Sequence, residues 1–348
     1  MRRSRQEHGR RARRTLGWGL LAFAGVQLGL SLFLECSRPG VYGPEYVAKV
    51  KRLQARRAEM PDRPLVVLLG SSRTRLALQA GRLSASPGAG RALVFNFGMA
   101  GSGPVLELVY LRRLLAQGFR PDLLLVEVLP PTLFQEGSRC LEESWFHSVE
   151  LRTAELAWLR RYSCRTRGLL RDWCVSRGLP CTAYRAGLRL YLEGPRRDPD
   201  PFAAMDGYGW QPQVVRATPA ERARWVGVIC SQYDGILRTG RLAAQPVRAV
   251  MDLLDLCRRR GIPVALVLLP ESSEFRTLYS PEVTASLSAF LDGLRRSRNV
   301  PVIDARTWAE DADFWDAHHL LPAGAAGFTR RFGREVLRPL IRALPRPG

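Results

Sequence analysis

The segment Thr15–Leu34 is 20 residues without a charge, and seven Arg crowd the 14 residues before it. A helix of that length rises roughly 30 Å, enough to cross the hydrocarbon core of a bilayer. No other run in the chain is long and apolar enough to do so, which excludes a multi-pass membrane protein. The Arg-rich tail, residues 1–14, is expected to stay in the cytoplasm and to send everything after residue 34 across the membrane. A cleaved signal sequence is the competing reading. It would want a shorter apolar region and small residues at the cleavage point, whereas Leu32-Phe33-Leu34-Glu35 offers none. Glu35 is also the wrong residue before a lipidated Cys36, so an uncleaved anchor is favoured.

The formal charge of +21 suggests a nucleic-acid partner at first sight, but the distribution argues against one. All but two of the 53 basic residues are Arg, Lys49 and Lys51 being the exceptions, and beyond residue 14 they are scattered in ones and twos. A phosphate-reading surface would gather its cations into a stripe. The expected partners are therefore the membrane and a substrate, with no nucleic acid. The seven Cys (Cys36, Cys140, Cys164, Cys174, Cys181, Cys230 and Cys257) match no zinc spacing, and the nearest His, His147, is 17 residues before Cys164. One disulfide in the cluster Cys140–Cys181 and a set of buried free thiols are equally compatible with the pattern.

After a charged helix or stalk over 35–63, with its helical part at Gly43–Met60, the apolar run Leu65–Leu69 stops at Gly70-Ser71-Ser72. That is the profile of a buried parallel strand feeding a loop. Ala92–Phe97, Leu123–Leu129, Val264–Leu269 and Val300–Ile303 read as four more strands, with helical spacing between them at Pro104–Gln117, around Val250–Cys257, at Val283–Leu294 and from Pro322 onward. Alternating strands and helices predict an α/β fold, a parallel sheet with helices on both faces. The stretch 132–245 shows no clear strand, holds five of the eight Trp (Trp145, Trp158, Trp173, Trp210, Trp225), and reads as a mainly helical insertion.

Ligands bind at the carboxyl ends of the strands in such a sheet, and four features fall there. Gly70-Ser71-Ser72-Arg73 follows the first strand; a Ser in that turn exposes a hydroxyl for attack, or simply caps the next helix. Asn96-Phe97-Gly98-Met99-Ala100-Gly101 follows the second, where glycine backbone can approach an oxyanion, or merely turn. Asp316-Ala317-His318-His319-Leu320 follows the fifth. At that spacing Asp316 can fix the His319 tautomer and stabilise its protonated form. A metal reading of His318 with His319 lacks further ligands nearby. Glu127, inside the third strand, is a carboxylate among apolar residues and needs a partner, with Arg73 a candidate.

Together these residues resemble the SGNH (GDSL-like) hydrolase superfamily, over roughly 64–131 and 262–340. Gly70-Ser71-Ser72 is similar to its first block, with Ser72 in the nucleophile position. Asn96-x-Gly98-x-x-Gly101 is similar to the second, with Gly101 as an oxyanion donor. Asp316-x-x-His319-Leu320 before Pro322-Ala323-Gly324 is similar to the fifth. The resemblance implies a three-layer α/β/α, flavodoxin-like domain over 64–340 and a Ser72–His319–Asp316 triad. It also implies substrate-binding or oxyanion roles for Gly101, Asn96 and Arg73, and no cofactor or metal. One departure stands out: the Asn expected in the third block is replaced by Pro131. With its anchor and insertion, the chain resembles the membrane-anchored branch that moves acyl groups onto envelope polysaccharides. That implies an esterase or O-acyltransferase acting on an ester-bearing or glycan substrate outside the membrane, with a membrane acyl-transport partner. An inactive glycan-binding or scaffolding domain is the alternative.

Overall fold

Five parallel strands carry the molecule's architecture. In the computed structural model they are β1 (Leu65–Gly70), β2 (Leu93–Gly98), β3 (Leu123–Glu127), and, after three short strands, β7 (Val264–Leu268) and β8 (Val302–Asp304). The structure describes residues 2–37, 43–86, 92–145, 150–163, 166–185, 188, 202–213 and 218–344; Cys164 and His147 lie outside them. The sheet order is β2-β1-β3-β7-β8, all pairs parallel. In chain order that is 2-1-3-4-5, the doubly wound flavodoxin-like arrangement, whose switch point lies between β1 and β3. The α/β fold expected from the sequence is the one observed.

The strands form where they do because their residues are apolar on both faces. Val66 and Leu68, Val94, Leu123 and Leu125, Ala265 and Val267 pack on one side with Phe314, Leu320, Phe328 and Phe332. The alternate residues point to the other face, as the two-residue period of a strand requires. There the helices Pro104–Ala116 and Ala244–Arg260 pack against each other. Pro at the first turn starts several helices, at Pro104, Pro281 and Pro322. Gly261 in the left-handed conformation ends Ala244–Arg260.

The stretch read as mainly helical, with no clear strand, contains a second sheet. β4 (Phe134–Glu136), β5 (Arg139–Cys140) and β6 (Arg241–Leu242) form a three-stranded antiparallel sheet ordered β5-β4-β6. Strands of two or three residues are too short to show alternation, which is why none was clear in the sequence. Cys140 is disulfide-bonded, whereas Cys174, Cys181, Cys230 and Cys257 are free thiols.

The chain divides into two compact units. One comprises Met1–Val47, His147–Ala157 and Arg165–Asp200; the other, with both sheets, comprises Ala48–Phe146, Trp158–Cys164 and Pro201–Gly348. In the first, the helix Arg2–Ser37 contains Arg11–Leu34, a segment long and apolar enough to cross a membrane. Leu16, Trp18, Leu20, Leu21, Phe23 and Val26 on it are exposed. Leu34 buries itself with Tyr184.

Candidate active site

The turn after β1 is built around a single carboxylate oxygen. Glu127 Oε2, at the end of β3, accepts from the Ser71 N–H (2.7 Å), the Ser71 hydroxyl (2.9 Å) and the Thr74 hydroxyl (2.7 Å). Ser71 in turn caps the helix Ser72–Ala77, its Oγ accepting from the Arg73 N–H at 3.1 Å. Ser72 is thereby fixed as the first helical residue, and it is only partly buried. Two glycines allow this packing. A Cβ on Gly70 would lie 2.0 Å from Thr74 Oγ1 and 2.5 Å from Glu127 Oε2, and one on Gly98 would lie 2.4 Å from the Arg75 nitrogen.

The second expected group arrives from the other end of the chain. The loop 313–321 is pinched by Leu321 N–H to Asp313 O (2.8 Å) and Trp315 N–H to His319 O (3.1 Å), with Phe314 bridging Leu320. Within it Asp316 Oδ1 accepts from the backbone N–H groups of His318 (2.8 Å) and His319 (2.7 Å), and Oδ2 lies 2.7 Å from His319 Nδ1. His319 Nε2 lies 2.8 Å from Ser72 Oγ. With Nδ1–H donating to the carboxylate, Nε2 carries the lone pair that faces the Ser72 hydroxyl. Gly324 belongs to the same construction, because a Cβ there would lie 2.6 Å from that of Asp313. Burial pushes the Asp316 carboxyl up, but the facing His319 and His318 and the backbone donors outweigh it and hold it below the usual range.

His318 points elsewhere. Its imidazole is buried, stacked on Phe275 at 5.2 Å and edge-on to Tyr233 at 5.2 Å. Burial holds it neutral, its pKa well below the ordinary value. The aromatic surroundings continue with Trp315, stacked 6.5 Å from His319 and 5.5 Å from Trp225.

The remaining expected residues have these places. Gly101 has φ +69°, and a Cβ on it would meet Trp145 at 2.9 Å, so glycine is required there on both counts. Its loop is tied to β1 by Met99 N–H donating to Gly70 O at 2.8 Å. The Asn96 side chain is fully buried: it donates to Thr74 O (2.8 Å) and Leu78 O (2.7 Å) and accepts from the Gly98 N–H (2.9 Å). Those bonds bind β2 to the helix that begins at Ser72. Arg73 is 1% exposed and donates to Leu269 O (2.8 Å) and Pro270 O (2.9 Å). Its guanidinium stands 3.4 Å from Glu271 and 3.8 Å from Glu127, so the buried pair expected with Glu127 is present.

Two acids escaped the sequence reading. Glu271 is buried beside Arg73 and accepts from the Tyr279 hydroxyl at 2.9 Å; only the Pro-Glu after a strand hinted at it. Glu142 caps the helix Pro104–Ala116, accepting from the N–H groups of Gly103 (3.0 Å), Val105 (3.1 Å) and Leu106 (2.8 Å). Burial pushes its pKa up to about 7 in spite of those donors. The cap comes from 36 residues or more downstream, so no local pattern announces it. Pro131 lies buried in the 3-10 turn Pro130–Leu133 and has no N–H to offer.

No family model matches the chain, and no curated protein matches it. Among solved structures it is similar to a GDSL-like lipase from Bacteroides thetaiotaomicron VPI-5482, with a TM-score of 0.35 and 11% identity. The match covers 84% of this chain and 94% of that one.

Proposed function

We propose that the protein is a membrane-anchored SGNH-like esterase or O-acyltransferase that works through Ser72, His319 and Asp316. The observation that carries the reading is the unbroken relay from Ser72 Oγ to His319 Nε2 (2.8 Å) and from His319 Nδ1 to Asp316 Oδ2 (2.7 Å). Ser72 attacks the ester carbonyl as His319 Nε2 takes its proton, and Asp316 stabilises the imidazolium that results. Backbone N–H groups of Ser72 and Gly101 receive the oxyanion. His319 then returns the proton to the departing alcohol, leaving an acyl-Ser72 ester. Water or a second hydroxyl discharges it, which distinguishes esterase from transferase. The substrate class is an acyl ester on a cell-envelope glycan. The N-terminus lies in the cytoplasm, the main domain lies outside, and a membrane acyl-transport protein is a partner.

Pro131 favours a second reading. Losing one oxyanion donor typically costs about 2.7–4 kcal/mol of transition-state stabilisation. An inactive domain that binds glycan or scaffolds an envelope complex would tolerate that loss. A serine-directed fluorophosphonate separates the two: covalent modification mapped to Ser72 and lost in Ser72→Ala supports the enzyme, and an unmodified Ser72 in folded protein supports the scaffold.

A further inference from the structure

His318 has no part in the Ser72–His319–Asp316 relay, yet it is a costly residue to place where it lies. Its ring is buried and neither of its nitrogens has a hydrogen-bond partner. A buried polar atom left so is destabilising, and a phenyl ring would fill the same space against Phe275 and Tyr233 without that cost. The unpaired imidazole is edge-on to His319, ring centres 4.2 Å apart. One ligand atom from each of Asp316, His318 and His319 lies within 4.8 Å of the other two. Asp316 is thus a third ligand, which corrects the reading that the two histidines lack further ligands nearby. Two imidazole nitrogens and a carboxylate oxygen are the donor set of a borderline divalent cation, with Zn2+ the best match.

We propose that Asp316, His318 and His319 form a reversible inhibitory site for a zinc-class divalent cation, which silences Ser72 when occupied. The inhibitory consequence rests on the serine-nucleophile reading above; the binding itself rests on the cluster alone. His319, with 15% of its side chain exposed and facing Ser72, is the entry point and the ligand that shifts as the three close around the ion. A cation on His319 Nε2 occupies the lone pair that faces the Ser72 hydroxyl. A cation on Nδ1 takes the place of the single ring proton held towards Asp316, which transfers through solvent to Nε2. In both cases no base is left for Ser72. The Asp316 carboxylate offsets part of the ion's charge, and a water completes a tetrahedral set. The chain's other two histidines, His8 and His147, are distant from this pair and from each other in sequence.

The test uses the full chain in detergent, with Zn2+ titrated against the rate of fluorophosphonate labelling at Ser72, and Co2+ as a spectroscopic probe. The expected result is suppression by Zn2+, full recovery with a chelator, and a visible tetrahedral Co2+ band. Measured against its own metal-free labelling rate, His318→Phe should tolerate about tenfold more Zn2+ or greater, and lose the band. His318→Gln serves the same purpose should the Phe variant fail to fold. Absence of Zn2+ inhibition in the wild type overturns the proposal, as does equal inhibition of both variants and wild type. Should Ser72 not label even without metal, the enzymatic reading falls separately. The Co2+ band then decides the site: its loss on His318 substitution supports it, and its absence from the wild type or its persistence in the variant overturns it.

Discussion

Glu127 organises the turn that carries Ser72 without touching the contacts from Ser72 to His319 and Asp316. Its Oε2 holds Ser71 and Thr74, and its other oxygen faces the Arg73 guanidinium, all among fully buried groups. Breaking a buried pair by removing one partner leaves an uncompensated charge and typically costs about 3–5 kcal/mol. Glu127→Ala should therefore lose roughly that much stability by chemical denaturation, whereas Glu127→Gln, which keeps a carbonyl acceptor for Ser71, should lose less. Equal losses would mean that shape rather than charge holds the turn. Asp316 acts differently, on the tautomer of one ring. Asp316→Asn should leave the fold intact and slow Ser72 acylation by about 10³–10⁴-fold, as measured by labelling rate.

Among elements, the five strands were legible because each is a continuous apolar run, with ends observed within about two residues of those expected. Leu123–Leu129 ends early, at Glu127, with one further bond from the Val128 N–H to Val267 O, and Val300–Ile303 begins late, at Val302, just after Pro301 O accepts from the Leu266 N–H. The convergence of Ser72, Asp316 and His319 was legible too, since Ser72 directly follows β1 and the other two share a short motif just before the helix Pro322–Phe332. Glu142 and Glu271 were not, because their partners are distant in sequence and nothing near them marks a buried acid. The pinned β2 turn makes its own prediction: Gly98→Ala drives a methyl into the Arg75 nitrogen and Ser71 oxygen. Overpacking of that kind costs about 1–3 kcal/mol, read as a lower Tm with slower Ser72 labelling.

Glu142 gives the helix Pro104–Ala116 a pH dependence with a definite sign. Its folded pKa of about 7 lies above the unfolded value of about 4.3. A raised group of this kind contributes fully below the unfolded value, and its contribution is lost as pH rises through the folded one. Between about pH 4.3 and 7 the wild type should lose up to about 1.4 kcal/mol per pH unit relative to Glu142→Gln. Parallel stability curves for the two proteins across that window would contradict this.

At the scale of the whole molecule, one apolar helix carries the prediction of topology. Arg11–Leu34 is long enough to span a bilayer, and the seven Arg before residue 15 predict a cytoplasmic N-terminus. A periplasmically active reporter fused after the last residue should be active, and one that works only in the cytoplasm should be silent. The reverse pattern would place the Ser72 site on the cytoplasmic side and remove envelope glycans as its substrate. Deleting residues 1–34 should release the chain from the membrane fraction on salt-free extraction; retention would show a second attachment.

The central claim is that Ser72 becomes covalently acylated with His319 as its base. Mass spectrometry of the intact protein and its peptides, after brief mixing with an activated acetyl ester at neutral pH, tests it most directly. The account predicts one acetyl group on the peptide holding Ser72 in the wild type and none in His319→Ala. Acetylation of Ser72 to the same extent in both proteins, or of other residues alone, would contradict it.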